Sequence, residues 1–185
     1  MAQAIRPMPE EIPVELWRGF KAPRGWQGSV AAIFIAPEPS GAMIPVPQAR
    51  AFADRGLEGD RFFRDSWNAV KRPDKAVSLI EEEVLKLAEA ELGVGPIADK
   101  TRRNIVTRGV PLVELLRREF TLGGVRMRGI RLFEPCGHLV AISKMPGIFQ
   151  VLHHRSGLKA AILSDGVIRV GDPIALDAVA AAASG

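Results

Sequence analysis

The stretch Phe120–Cys136, "FTLGGVRMRGIRLFEPC", alternates apolar and polar residues on both sides of Gly123-Gly124. A period of two predicts half-buried strands, and a glycine pair between two such runs predicts the turn joining them. Downstream, "LKAAILSDGVIRVGDPIAL" (Leu158–Leu176) gives two apolar runs joined by Asp165-Gly166, a hairpin signal, and a third run opened by the Gly171-Asp172 turn. Upstream, "GSVAAIFIAP" from Gly28 is apolar and β-branched until Pro37 and Pro39 stop it, and a further extended piece is expected around Met43–Val46. Many short strands with turn signals between them predict a mostly β protein with a minor α component. The expected form is a curled, mainly antiparallel barrel carrying one or two peripheral helices.

One helix stands out. In "AVSLIEEEVLKLAEAELG" (Ala76–Gly93) the residues Val84, Leu85, Leu87, Ala88 and Leu92 share one helical face, Ser78 with Glu81 has the spacing of a capping box, and Gly93 is a stop. A shorter helix is expected in "PLVELLRREF" from Pro111. Residues 1–27 are proline-spaced and are expected to form an N-terminal arm, docked by Trp17 and Trp26 but dispensable for folding. Residues 28–177 are the barrel domain, and 178–185 a disordered tail.

Length and composition limit the function classes. The 185 residues fit one domain, and 47% hydrophobic with 25% charged residues is the balance of a soluble globular protein. The charge excess is only +4, from 25 Lys and Arg against 21 Asp and Glu, so no nucleic-acid partner is expected. No apolar run of membrane-spanning length occurs, and a single cysteine rules out an internal disulfide framework, so a cytoplasmic location without a membrane partner is expected. The cations are mostly arginines, which suit bidentate recognition of phosphate or carboxylate.

Three short stretches could carry chemistry. "LEGDRFF" sets Asp60 and Arg61 between a glycine turn and two aromatics, either as a site or as a turn ion pair. "RRNIV" offers Arg102, Arg103 and Asn104 at a strand start, where guanidinium and carboxamide donors could meet one phosphate or stand in solvent. Cys136 follows Pro135 at a strand end, and "CGHLVAISK" could begin a helical turn whose amides favour a thiolate, with His138 as proton partner; the bland alternative is an inert buried cysteine. His153 and His154 are adjacent and lack the three- or four-residue spacing of a helical zinc pair. Nucleotide-binding glycine motifs are missing.

In this order, "GLEGDRFF", "AVSLIEEEVLKLAEAELG", "RRNIVTRGVPL", "FTLGGVRMRGIRLFEPCGHL" and "SGLKAAILSDGVIRVGDPI" resemble the MOSC family, named for the C-terminal domain of molybdenum cofactor sulfurase. The similarity runs from about Gly28 to Leu176 and leaves out the arm. It implies a barrel-like fold that binds molybdenum cofactor (molybdopterin), with Cys136 as molybdenum ligand or persulfide carrier. By position, Arg103 with Asn104 would meet the cofactor phosphate, with Asp60, Arg61 and Arg155 as further cofactor-binding candidates. Phe62 stands where many relatives have histidine or tyrosine after Gly-Asp-Arg. No lysine for pyridoxal phosphate is identifiable, because the sulfurase's aminotransferase-like domain has no counterpart here.

The resemblance implies a reductase of small N-oxygenated substrates that takes electrons from a separate donor protein, since no flavin or haem motif is present. A sulfur-carrier module that exchanges sulfur with a partner through a Cys136 persulfide is the alternative. A cofactor-binding domain without turnover is the third.

Overall fold

The computed structural model describes residues 12–63 and 73–176, so the first part of the arm and the expected tail lie outside it. The run from Gly28 forms β1 (Gly28–Ile35), followed by β2 (Ile44–Val46), β3 (Gln48–Phe52), β4 (Gly56–Leu57) and β5 (Val77–Glu81). Helix α1 (Glu82–Leu92) leaves β5 directly, and β6 (Ile105–Arg108), β7 (Glu119–Leu122) and β8 (Val125–Leu132) come next. Two short helices, α2 (Gly137–Ser143) and α3 (Ile148–Leu152), precede β9 (Leu158–Ile162), β10 (Gly166–Arg169) and β11 (Pro173–Leu176).

Strands β1, β6, β5, β9, β8, β7 and β11 pair in that order, and β11 pairs back onto β1, closing a seven-stranded barrel. Among the strand pairs of the described residues, only β5–β6 is parallel. β2 extends β1 outside the ring, while β10, β3 and β4 make a separate small sheet. Closure needs sharp local curvature. The register of β8 on β9 shifts between Gly129 and Arg131, and a Cβ at Gly129 would lie 2.1 Å from the Leu115 carbonyl oxygen.

Alternate residues of β1, β5 and β6 divide between two cores. Ile33, Leu79 and Ile105 point into the barrel with Phe120, Met127 and Leu158. Their neighbours Phe34, Ile80 and Val106 point outward, beneath α1 and α3, against Leu85, Ile148 and Leu152. β5 is therefore buried on both faces, and the helices cover only that side of the barrel.

Several local expectations are corrected. Ser78 lies inside β5, so Ser78 and Glu81 form no capping box; Glu81 itself precedes α1, without a side-chain cap bond. Val84, Leu85 and Ala88 are buried, whereas Leu87 is 54% exposed. The Pro111 segment yields only a 3-10 turn, Leu112–Leu115. Asp165-Gly166 does not close a hairpin: β10 pairs with β3, and Asp165 accepts a hydrogen bond from the Ala53 N–H at 2.7 Å. Trp17 docks the described part of the arm, as expected: it is 6% exposed and packs into the barrel cluster. Trp26 also holds the body, through its indole N–H on Glu114 at 2.9 Å. Among the described residues no helix is long and apolar enough to cross a membrane.

Candidate functional site

Cross-strand register builds the floor of the site. Ser78 on β5 stands opposite Lys159 on β9, and Lys159 opposite Arg131 on β8, so the three side chains share one face of the barrel. Asn104, just before β6, joins the row by donating its backbone N–H to the Ser78 carbonyl at 3.0 Å. Above the floor lie the Asp60–Phe62 turn, the 3-10 turn Pro73–Lys75 and the segment Phe133–Leu139. Together they line an open pocket.

Asp60 and Asn104 lock this assembly. Asp60 Oδ1 accepts from the Ala36 N–H at 3.0 Å, Asn104 Nδ2 at 3.1 Å and Arg61 at 3.3 Å, while Oδ2 accepts from the Phe62 N–H at 3.1 Å. The Asn104 amide donates to Asp60 and to the Phe34 carbonyl, and its oxygen accepts from Ser78 N–H and Oγ. Both amide hydrogens are thus committed to the fold. Asn104 positions the floor; it holds no spare donor for a phosphate.

Arg103 is buried. Its Nε donates to the Ser156 carbonyl at 2.8 Å, one terminal nitrogen to the Thr101 carbonyl at 2.7 Å and the other to Ser156 Oγ. The guanidinium carbon lies 3.6 Å from the Phe133 ring centroid. Three of its five N–H groups are engaged, and the planar group forms a wall of the pocket. Arg102 differs: one terminal nitrogen donates to the Gly41 carbonyl, and the other is buried without a partner. Arg102 also borders a second hollow between Ser40–Met43 and the end of α2.

The pocket is a desolvated cationic site. Arg61, Lys75, Arg102, Arg103 and Lys159 line it, against the carboxylates of Asp74 and Glu134. Asp74 is already paired with Arg131 at 3.2 Å and lies 3.7 Å from Lys159. Burial pulls the Arg103 guanidinium down to about 9, a fall opposed by the Cys136 charge and reinforced by Arg61 and Arg131; Arg103 remains a cation at neutral pH. Burial also lowers Arg61 and Arg102, each partly rescued by Asp60. Among the described residues five cations line this pocket against two carboxylates, a balance that suits an anionic ligand.

Cys136 stands exposed at this pocket, at the N-cap of α2, with its carbonyl accepting the Val140 N–H at 3.2 Å. Its sulfur makes no capping hydrogen bond to the helix. His138, exposed on the first turn of α2, lines the same pocket.

Residues 58–175 match the MOSC domain. The chain belongs to the MOSC domain family. The fold is similar to that of several solved structures. YuaD from Bacillus subtilis shares 15% identity and a TM-score of 0.65 over 82% of this chain and 97% of its own. YiiM from Geobacillus stearothermophilus shares 18% and 0.62 over 81% and 75%, and YiiM from Escherichia coli 20% and 0.56 over 80% and 69%. No curated protein sequence matches significantly.

Within this MOSC domain the structure brings Cys136, His138, Arg61, Arg103 and Asn104 to one pocket, with Asp60 directly behind them. Arg155 does not line it. Its guanidinium donates to the Val151 carbonyl and, at 2.6 Å, to Glu91, tying α3 to α1. Sequence reasoning missed Lys159, Asp74 and Phe133, and gave Arg102 no role of its own. Lys159 had a signal, as the one charge inside the apolar run "GLKAAIL"; Asp74 and Phe133 had none.

Proposed function

We propose that this MOSC domain binds a molybdenum pterin cofactor and reduces a small N-oxygenated substrate, with Cys136 as the molybdenum ligand. The observation that carries the reading is an exposed thiol beside buried arginines, one of which, Arg102, has an unpartnered N–H group. The donor set fits the cofactor: a soft thiolate suits molybdenum, and a buried free guanidinium nitrogen suits a phosphate oxygen. When bound, the cofactor supplies a metal centre that exchanges electrons with an oxygen-bearing substrate.

The chain's own residues do the rest. Arg102 and Arg61 hold the phosphate, and Arg103, fixed by Ser156 and Thr101, adds positive charge without moving. Phe62 and Phe133 exclude water from the pocket walls. His138 is placed to hold or give a proton at an imidazole nitrogen. Electrons come from a separate donor protein.

The exposure of Cys136 also favours a second reading, in which it carries sulfur to a partner as a persulfide. Protein purified from a cofactor-competent host separates the two. Stoichiometric molybdenum with pterin fluorescence supports the first reading. A mass gain of one sulfur on Cys136 after treatment with a persulfide donor, without metal, supports the second.

A further inference from the structure

Two of the three histidines lie apart from the Cys136 pocket. His153 closes α3, and His154 follows in the left-handed backbone region at φ 61°, an uncommon conformation for a residue with a Cβ. The reversal folds the two imidazoles together, with ring centroids 3.7 Å apart. Phe149 stacks on the outer face of His153 at 5.7 Å and restrains that ring. Glu134 reaches the pair from the end of β8: its Oε1 lies 2.7 Å from His154 Nδ1, and the His154 backbone N–H donates to its carboxylate at 3.0 Å. All three residues are half-buried, and one ligand atom from each lies within 4.8 Å of the others.

We propose that Glu134, His153 and His154 form a binding site for a borderline divalent cation such as zinc, next to the ligand pocket at Cys136 and sharing only Glu134 with its lining. Two imidazole nitrogens and one carboxylate oxygen are a donor set that zinc accepts, with a fourth position left for water. A zinc ion about 2.1 Å from each donor needs donors roughly 3.4 Å apart, so side-chain rotations that move the donor atoms by up to about 1.4 Å, with the Glu134–His154 contact opening slightly, complete the set. The sequence argument against the two histidines concerned a helical pair. Here they sit at a helix end and the turn after it, where spacing on a helix face does not apply.

The position gives the cation a task. Glu134 precedes Pro135 and Cys136, while His154 precedes Arg155 and Ser156, the residue that holds Arg103. A metal there ties the cysteine turn to the turn that fixes the buried arginine. This inference does not rest on the reading of Cys136, because its test reads zinc directly.

The test titrates the full-length protein, stripped of metal by a chelator, with zinc chloride against a chromogenic competitor. The proposal expects one zinc per chain in both the parent and Cys136→Ser, with affinity lowered at least tenfold in His153→Ala and Glu134→Gln. Absence of zinc binding at micromolar concentration overturns it. So does parental affinity in His153→Ala, or loss of the zinc in Cys136→Ser. If a variant misfolds, cobalt-loaded parent protein decides: ligand-field bands without a thiolate-to-metal charge-transfer band support the site, and a charge-transfer band places the metal on Cys136 instead.

Discussion

Arg102 and Arg103 are adjacent, yet their guanidinium groups have different surroundings. Arg102 sits at φ 62°, and this left-handed turn separates its direction from that of Arg103. Arg102→Ala is expected to weaken retention of the cofactor by about 1.5–3 kcal/mol, the range for a hydrogen bond to a charged group, while changing the urea midpoint little. Arg103→Ala removes the donors of the Thr101 and Ser156 carbonyls from a buried setting and should cost about 3 kcal/mol or more of folding stability. Unchanged cofactor retention in Arg102→Ala, or an Arg103→Ala protein as stable as the parent, contradicts these assignments. The "RRN" stretch was legible, and the resemblance singled out Arg103 with Asn104; that the unpartnered nitrogen is on Arg102 instead is decided by backbone dihedrals, which spacing does not show. Cys136 and His138 were legible because a strand end, a proline and a helical turn are local signals. Arg155 was not, because only the packing of α3 on α1 turns it toward Glu91.

At the scale of elements, the junction of β5 with α1 matters most. Glu81 is fully buried there, and burial raises its carboxyl to about 8, while backbone amides of Leu112 and Phe20 oppose the rise. Between about pH 4.5 and 8 the unfolded chain has lost this proton and the folded chain keeps it, so stability falls as pH rises across that window. The full effect is of the order of 5 kcal/mol. Glu81→Gln keeps an acceptor for the Leu112 N–H and should flatten the pH dependence in denaturant melts at pH 5, 6.5 and 8. Parallel profiles for the two proteins would show that Glu81 does not carry it. The same junction explains the misread capping box: a strand that runs straight into a helix puts Ser78 at capping-box spacing from Glu81 while it faces the pocket floor. Asp165-Gly166 misled for a related reason, because turn chemistry shows that the chain reverses but not which strand it meets.

The whole molecule is a barrel whose closure depends on distant pairings, β11 with β1 and β5 with β6, which no local pattern in the chain reveals. The strand content was legible, and so was the overall class. The pocket was only partly so, because residues from Arg61 to Lys159 meet there through register. The arm belongs to this scale as well. Trp17 packs into the barrel cluster, and the Arg18 N–H donates to the His154 carbonyl at 2.7 Å. Trp17→Ala should lower stability by about 3 kcal/mol or more, and removal of residues 1–24 should give a poorly stable product. A truncated protein that melts like the parent would return the arm to a dispensable role. The central claim is that Cys136 holds molybdenum while the arginines hold the pterin phosphate. Its most direct measurement is molybdenum and pterin per chain in the parent and Cys136→Ser, purified side by side from a cofactor-competent host, with the molybdenum spectrum of each. The account predicts near-stoichiometric metal and pterin in the parent, and in Cys136→Ser pterin retained through the arginines with an altered metal spectrum and no reductase turnover. Equal metal content, spectrum and turnover in the two proteins would contradict it.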